Sequence, residues 1–170
     1  MRLYLMRHAT AVPQGTPGCV QDADRVLTAE GKAEATAVAQ GLQRLRIVPD
    51  LIVTSPYIRA IETAEQVRRL LQPKLSCRQL DELRSEADPR ATSIALKTLS
   101  AYEELLLVGH EPHLSAWVAE LVSGHEPMRC QMKKAAVACV EIERVPPPAG
   151  SGTLRWLMTP KQLALIGEAP

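Results

Sequence analysis

Three basic clusters in the sequence combine residue types that could transfer a phosphoryl group. Arg7 and His8 directly follow the first apolar run of the chain. Arg59 lies shortly after a second apolar run, and His110 lies shortly after a third. Guanidinium groups present a planar fork of donors to phosphoryl oxygens, while a neutral imidazole can attack phosphorus in line and hold it covalently. Together these residues indicate phosphoryl transfer with a histidine as the nucleophile.

The three apolar runs are the elements that must position these side chains. Leu3 to Met6, Leu51 to Thr54 and Leu105 to Val108 are nearly continuous apolar stretches, typical of parallel strands buried on both faces. Ligands bind at the carboxyl edge of such a sheet, so the clusters that follow the strands are expected to meet there. Taken singly, Arg7 and His8 could merely end a strand, and Arg59 could be a solvated helix residue. The recurrence of the pattern at three strands favours a shared site.

The remaining pattern predicts helices between the strands and a final hairpin. A chain of 170 residues that is 46% apolar fits a single domain over 1–170, with an α/β fold and a mostly parallel sheet. Ser55 is predicted to cap a helix with Pro56 at its first position, His113 to be exposed in a first helical turn, and His125 to lie in a loop. Helices are expected over about 28–46, from 55 to before Pro73, from 88, after Pro112 and from 159, and further strands within 74–80, over 135–143 and over 153–158.

Other catalytic classes lack their motifs. The chain has no Gly-rich dinucleotide fingerprint, no phosphate-binding loop with Lys-Ser/Thr, no Gly-x-Ser-x-Gly elbow and no Cys-x5-Arg arrangement. Zinc would need three or four converging ligands, and the arginines would repel a cation. We therefore expect an enzyme without a cofactor or a metal.

Composition and charge limit the binding partners and the cellular location that can be expected. A formal net charge of +1 gives no reason to expect nucleic acid or membrane binding. No secretory signal is visible, and the longest later apolar run, residues 135–140, is too short to cross a bilayer. Cys19, Cys77, Cys130 and Cys139 form no Cys-x-x-Cys pair, so they are expected to be thiols of a cytoplasmic protein.

Four ordered motifs resemble the histidine phosphatase superfamily (phosphoglycerate mutase-like). Its Arg-His-Gly reads Arg7-His8-Ala9 here, a departure that keeps a small residue but implies a backbone with no need for glycine. The other motifs are Leu27-Thr28-x-x-Gly31, Ser55-Pro56-x-x-Arg59-Ala60-x-x-Thr63 and Gly109-His110-x-Pro112. The match runs from Arg2 to about Leu121 and more weakly to Pro160. The short chain and its Arg25-x-Leu27-Thr28 stretch are most similar to SixA-type phosphohistidine phosphatases.

The resemblance implies a three-layer α/β/α sandwich and a role for each site residue. It implies that His8 becomes phosphorylated, that Arg7 and Arg59 bind the phosphoryl oxygens, that His110 completes the pocket and that Arg25 contributes from its rim. Glu82 is positioned like the general acid of phosphoester-cleaving relatives, although a solvated carboxylate explains it equally well.

The resemblance also implies a substrate, with two alternatives left open. A chain this short has little material for a lid, which favours phosphohistidine on a protein, such as a histidine phosphotransfer domain. The enzyme is expected to be a monomer. The alternatives are a phosphatase for small phosphomonoesters and a phosphate-binding module without turnover.

Overall fold

A computed structural model describes residues 1–124 and 128–168, so the loop prediction for His125 lies outside the described residues. The strands are β1 (Arg2–Arg7), β2 (Leu51–Thr54), β3 (Cys77–Gln79), β4 (Glu104–Gly109), β5 (Val137–Glu141) and β6 (Thr153–Met158). The α-helices are α1 (Ala29–Arg44), α2 (Ile58–Leu71), α3 (Pro89–Ala95), α4 (His113–Ser123) and α5 (Pro160–Glu168). Short 3-10 turns cover Asp22–Asp24, Asp81–Leu83 and Leu96–Leu99.

The described strands form one mixed sheet in the order β3-β2-β4-β1-β5-β6. The first four of these strands run parallel, whereas β5 is antiparallel to β1 and β6 is antiparallel to β5. This confirms the prediction of a mostly parallel sheet with a terminal hairpin. Because β4 lies between β2 and β1, the residues that follow these three strands are brought to neighbouring positions.

Helices cover both faces of the sheet, which confirms the three-layer α/β/α sandwich. Alternate residues of a strand point to opposite faces, and in β1 Tyr4 and Met6 join one core while Leu3 and Leu5 join the other. The first core contains residues of α1, α2 and α5, and the second contains residues of α4 and of the 3-10 turn after α3. All four of these β1 side chains are at most 3% exposed, as the continuous apolar run predicted.

Several predicted boundaries shift for identifiable backbone reasons. Helix α1 ends two residues before Arg46, which has a positive φ of 58°, and β5 begins after Ala135, which has a φ of 54°. Left-handed conformations interrupt both helices and strands. Ala9 has no positive φ, so alanine replaces glycine there without backbone strain.

Two local predictions were wrong. Ser55 does not cap α2, whose N-cap is Tyr57 and whose first residue is Ile58. His113 is only 2% exposed, because α3 packs over the start of α4 and Thr92 Oγ1 lies 2.8 Å from His113 Nε2. A helical period does not reveal which neighbouring helix covers a first turn.

Gly31 allows α1 to approach the segment that follows His8. A Cβ built on Gly31 would lie 1.9 Å from the backbone oxygen of Thr10, and that oxygen also accepts a hydrogen bond from Thr28 N at 3.0 Å. Two backbones therefore meet where no methyl group fits. The Gly31 motif residue is explained by this contact.

We expect Gly31→Ala to lower the free energy of unfolding by about 2 kcal/mol, because overpacking costs about 1–3 kcal/mol and exceeds the helix propensity gained. Urea denaturation would measure the change. Lys32→Ala is the matched control, since this neighbouring lysine is exposed and makes only a 3.9 Å ion pair with Glu62. Equal stability of Gly31→Ala and the wild-type protein would contradict the steric argument.

No helix in the described part of the chain combines the length and apolar character needed to cross a membrane.

Candidate active site

His8 lies at the carboxyl end of β1 with its imidazole fixed in one orientation. It is 6% exposed, and its backbone N donates to Gly109 O on β4 at 3.0 Å. Its Nδ1 lies 2.7 Å from the backbone oxygen of Ala9. A carbonyl oxygen can only accept, so the Nδ1 carries the hydrogen and Nε2 keeps a lone pair. The ring is thus held as a neutral tautomer with Nε2 available.

Arg59 meets this lone pair from the first turn of α2. Its Nε donates to His8 Nε2 at 3.2 Å, and its side chain is 4% exposed. Four residues further along the same helix face, Thr63 Oγ1 donates to the backbone oxygen of Arg59 at 2.6 Å and accepts from Ala9 N at 3.0 Å. Thr63 therefore ties α2 to the peptide beside His8, which explains the spacing of the Arg59-Ala60-x-x-Thr63 motif.

Arg7 is held from the opposite side by the segment before β5. Its Nη1 donates to Met132 O at 2.8 Å, while its Nε is buried without a hydrogen-bond partner among the described residues. Met132 N in turn donates to the carboxylate of Glu111 at 2.9 Å. A buried unpaired donor is costly, so Arg7 Nε is suited to receive an anionic ligand.

His110 lies between His8 and α2, as the strand order requires. Its ring centroid is 5.0 Å from that of His8 and 4.8 Å from that of Tyr57. The His110 Nε2 is 2.8 Å from Ser55 Oγ, and its Nδ1 is buried without a partner among the described residues. Ser55 thus orients His110 rather than capping a helix. Tyr57 also stacks against Arg59, whose Cζ lies 4.9 Å from the tyrosine ring centroid.

Arg25 reaches the same cluster from the loop between β1 and α1. Its Nη1 donates to Val12 O at 3.0 Å and its Nε donates to the carboxylate of Asp22 at 2.8 Å. Asp22 also pairs with Arg59 at 2.8 Å. Asp22 was not among the site residues predicted from the sequence. Its only sequence signal is the separation of three residues from Arg25, which suits a side-chain pair in a helical turn.

The site keeps both imidazoles neutral. Burial lowers the pKa of His8 against the opposing hydrogen bond to Ala9, and with the positive charges of Arg59, Arg7 and Arg25 the pKa falls to about 3. Burial, followed by the nearby His8 ring and the charge of Arg59, lowers the pKa of His110 to about 2. Three guanidinium groups therefore act on an unprotonated His8, an arrangement that favours a dianionic ligand next to a nitrogen nucleophile.

Glu82 lies apart from these contacts. It is partly exposed in the 3-10 turn after β3, and no hydrogen bond joins its carboxylate to another described residue. An open surface pocket of about 320 Å³ is lined by Glu82 together with Arg84, Glu86 and Asp88. Its turn does approach the end of β4, since a Cβ on Gly109 would lie 3.3 Å from Leu83 O. Glu82 is thus at the correct edge of the sheet, outside the Arg/His cluster.

Within residues 1–124 and 128–168, no group of three or more His, Cys, Asp or Glu side chains has the arrangement of a metal site. Cys19, Cys77, Cys130 and Cys139 are free thiols.

Comparison with known proteins identifies similar sequences and structures. The family model described as histidine phosphatase superfamily (branch 1) matches residues 3–89. The chain is 29% identical to phosphohistidine phosphatase SixA of Escherichia coli over 167 residues, which cover 97% of this chain and 98% of that protein. It is 33% identical to an uncharacterized Picosynechococcus protein over 150 residues, which cover 81% of this chain and 82% of that protein. A solved structure of the protein histidine phosphatase SixA complexed with tungstate aligns with a TM-score of 0.82 at 29% identity. The alignment covers 96% of this chain and 99% of that chain.

Proposed function

The chain belongs to the histidine phosphatase superfamily (branch 1), and on this premise we propose that it is a phosphatase that removes phosphate from phosphohistidine on a protein. The observation that carries the proposal is the fixed tautomer of His8, which directs Nε2 toward the Arg59 guanidinium. The similarity to phosphohistidine phosphatase SixA over nearly the whole chain supports the substrate class. A histidine phosphotransfer domain is the proposed partner, with the enzyme acting as a cytoplasmic monomer.

In the proposed first step, the Nε2 lone pair of His8 attacks phosphorus in line. A P–N bond forms on His8 as the P–N bond to the substrate imidazole breaks, and the substrate leaves as a neutral imidazole because its other nitrogen already carries a proton. Arg7, Arg59 and His110 would contact the phosphoryl oxygens, and Arg25 would add positive charge at the rim. Preorganised donors of this kind stabilise charge in the transition state without reorganisation.

In the proposed second step, water attacks the phosphoenzyme opposite the P–N bond to His8. Inorganic phosphate leaves and the His8 imidazole is restored, with the hydrogen on Nδ1 still held by Ala9 O. Since burial lowers the pKa of His8 to about 3, the restored ring is unprotonated at neutral pH. The nucleophile is therefore ready for another turnover without a separate deprotonation.

The test compares a phosphorylated histidine phosphotransfer domain with small phosphate monoesters as substrates of the purified protein. We expect rapid loss of phosphate from the domain, slow hydrolysis of the esters and undiminished activity in EDTA. Efficient ester hydrolysis without action on the domain would favour a phosphatase for small phosphomonoesters. A single-turnover reaction that leaves no phosphate on His8 and releases none would indicate a phosphate-binding module.

Glu82 provides a prediction that separates the substrate classes. An alkoxide leaving group needs a proton, and a positioned acid contributes roughly 10²- to 10⁴-fold, whereas a neutral imidazole departs without one. We expect Glu82→Gln to slow hydrolysis of an unactivated monoester far more than dephosphorylation of phosphohistidine.

Steady-state kinetics on both substrates measure the difference. Asp81→Asn is the matched control, because it removes an adjacent carboxylate that is exposed and paired with Arg84 at 2.8 Å. Equal, large losses of activity on both substrates in Glu82→Gln would instead assign Glu82 to a shared step and favour small phosphoesters.

A further inference from the structure

Asp22 already holds the arginine side chains that the proposed function assigns to the phosphoryl group. Its Oδ2 accepts from Arg59 Nη2 at 2.8 Å, and its backbone oxygen accepts from Arg59 Nη1 at 2.6 Å. Its Oδ1 accepts from Arg25 Nε at 2.8 Å. The Asp22 carboxylate therefore binds both Arg25, in the loop, and Arg59, on α2.

These contacts use the edge of Arg59 that would grip a phosphoryl group. The Nε and Nη2 of a guanidinium form one side of its planar fork and can bind two oxygens at once. In this structure Nε donates to His8 Nε2, and Nη2 donates to Asp22. Attack by His8 releases the Nε contact, since the lone pair is then used for bonding to phosphorus. The Nη2 contact remains occupied unless Asp22 moves away.

Charge makes simultaneous occupancy unfavourable. Burial raises the pKa of Asp22, but Arg59 and Arg25 outweigh that effect and lower it below the usual value, so the side chain is an anion at neutral pH. Like charges a few ångströms apart repel, most strongly near a buried partner such as Arg59. The Asp22 side chain is 39% exposed and lies in a short 3-10 turn of a loop, so it has solvent to move into.

We propose that Asp22 is an internal competitor for the phosphoryl site, whose carboxylate binds Arg59 and Arg25 in the free enzyme and is displaced when a phosphoryl group enters. The proposal rests on the proposed function for the identity of the ligand. Competition by Asp22 makes the affinity of the site for any oxyanion lower than it would be with Arg59 and Arg25 unoccupied. Free phosphate then binds weakly and leaves readily.

Calorimetric titration with tungstate, and separately with inorganic phosphate, tests this proposal on the full chain. We expect Asp22→Asn to lower the Kd for both anions by about tenfold, because the amide removes the competing charge but preserves the size of the side chain. Asp24→Asn is the matched control. It removes a charge in the same turn, but the Asp24 carboxylate accepts from Gln21 N and makes no contact with Arg25 or Arg59, so its Kd should equal that of the wild-type protein.

Unchanged or weaker binding by Asp22→Asn would overturn the proposal, with weaker binding assigning Asp22 to the orientation of Arg59. Asp22→Ala should also bind both anions more tightly, and thermal unfolding of each variant verifies that it is folded. Absence of anion binding by all variants would also overturn the proposal. Because titration requires no turnover, tighter binding without phosphohistidine hydrolysis would support the role of Asp22 and refute the proposed function alone.

Discussion

Replacing His8 with alanine is expected to abolish both turnover and the covalent labelling of the protein by a phosphorylated substrate. The reason is geometric. The hydrogen bond between His8 Nδ1 and the Ala9 carbonyl leaves the lone pair on His8 Nε2, which lies 3.2 Å from Arg59 Nε. Without it, phosphorus has no nitrogen nucleophile at this position. Rapid quench with radiolabelled substrate, followed by gel analysis of the protein, measures the loss.

The label itself has a chemical character that can be checked. A phosphoramidate on the wild-type protein should be labile in acid and stable in alkali. Because the pKa of His8 is lowered to about 3, labelling of the wild-type protein should not decline through protonation of this residue between pH 8 and pH 5. His113→Gln is the control, since it changes a buried imidazole that contacts Thr92 instead of the cluster, and it should retain the label. A fully active His8→Ala protein would end the phosphohistidine mechanism.

Arg59→Ala should lower turnover of phosphohistidine by roughly 10²- to 10³-fold, the usual effect of removing one preorganised donor to a developing charge. Arg59 is buried, contacts His8 directly and presents the Nε and Nη2 edge that can bind two oxygens at once. Its loss also leaves the Asp22 carboxylate without its most buried partner. Single-turnover kinetics would measure the phosphoryl transfer step itself.

Arg69→Ala is the matched control for Arg59→Ala. Arg69 lies on the same helix, but its side chain is 63% exposed and pairs with Glu65 at 3.2 Å, so its removal should leave turnover unchanged. Arg59→Lys should recover only part of the activity, because an ammonium cannot form the planar fork. Turnover of Arg59→Ala within a few-fold of the wild-type rate would exclude Arg59 from the transition state.

The sequence alone predicted the architecture and the convergence of Arg7, His8, Arg59 and His110 at one edge of the sheet. Continuous apolar runs such as residues 3–6 are typical of strands buried on both faces, and the helices predicted between them favour parallel neighbours. Carboxyl ends of parallel strands share an edge, so the clusters at Arg7-His8, Arg59 and His110 had to converge there. Their meeting follows from periodicity and chain order, which are local properties.

Tertiary structure decided which atoms are free for chemistry. The tautomer of His8 depends on where the Ala9 carbonyl points, and the orientation of His110 depends on Ser55, which lies 55 residues away in sequence. The burial of His113 depends on α3, a separate helix. None of these contacts can be read from the periodicity of the sequence, because each arises from one long-range contact or one backbone angle.

The contacts of Asp22 likewise could not be predicted from the sequence. In the sequence it is one acidic residue of a polar loop, and its charge complements Arg25 three residues later. Only the folded chain brings it to Arg59, where its carboxylate and its carbonyl oxygen meet two nitrogens of the same guanidinium. Residue types and spacing indicated which arginines form the site. The path of the loop determined that the Asp22 carboxylate binds them, because loop conformation depends on contacts that the local sequence does not encode.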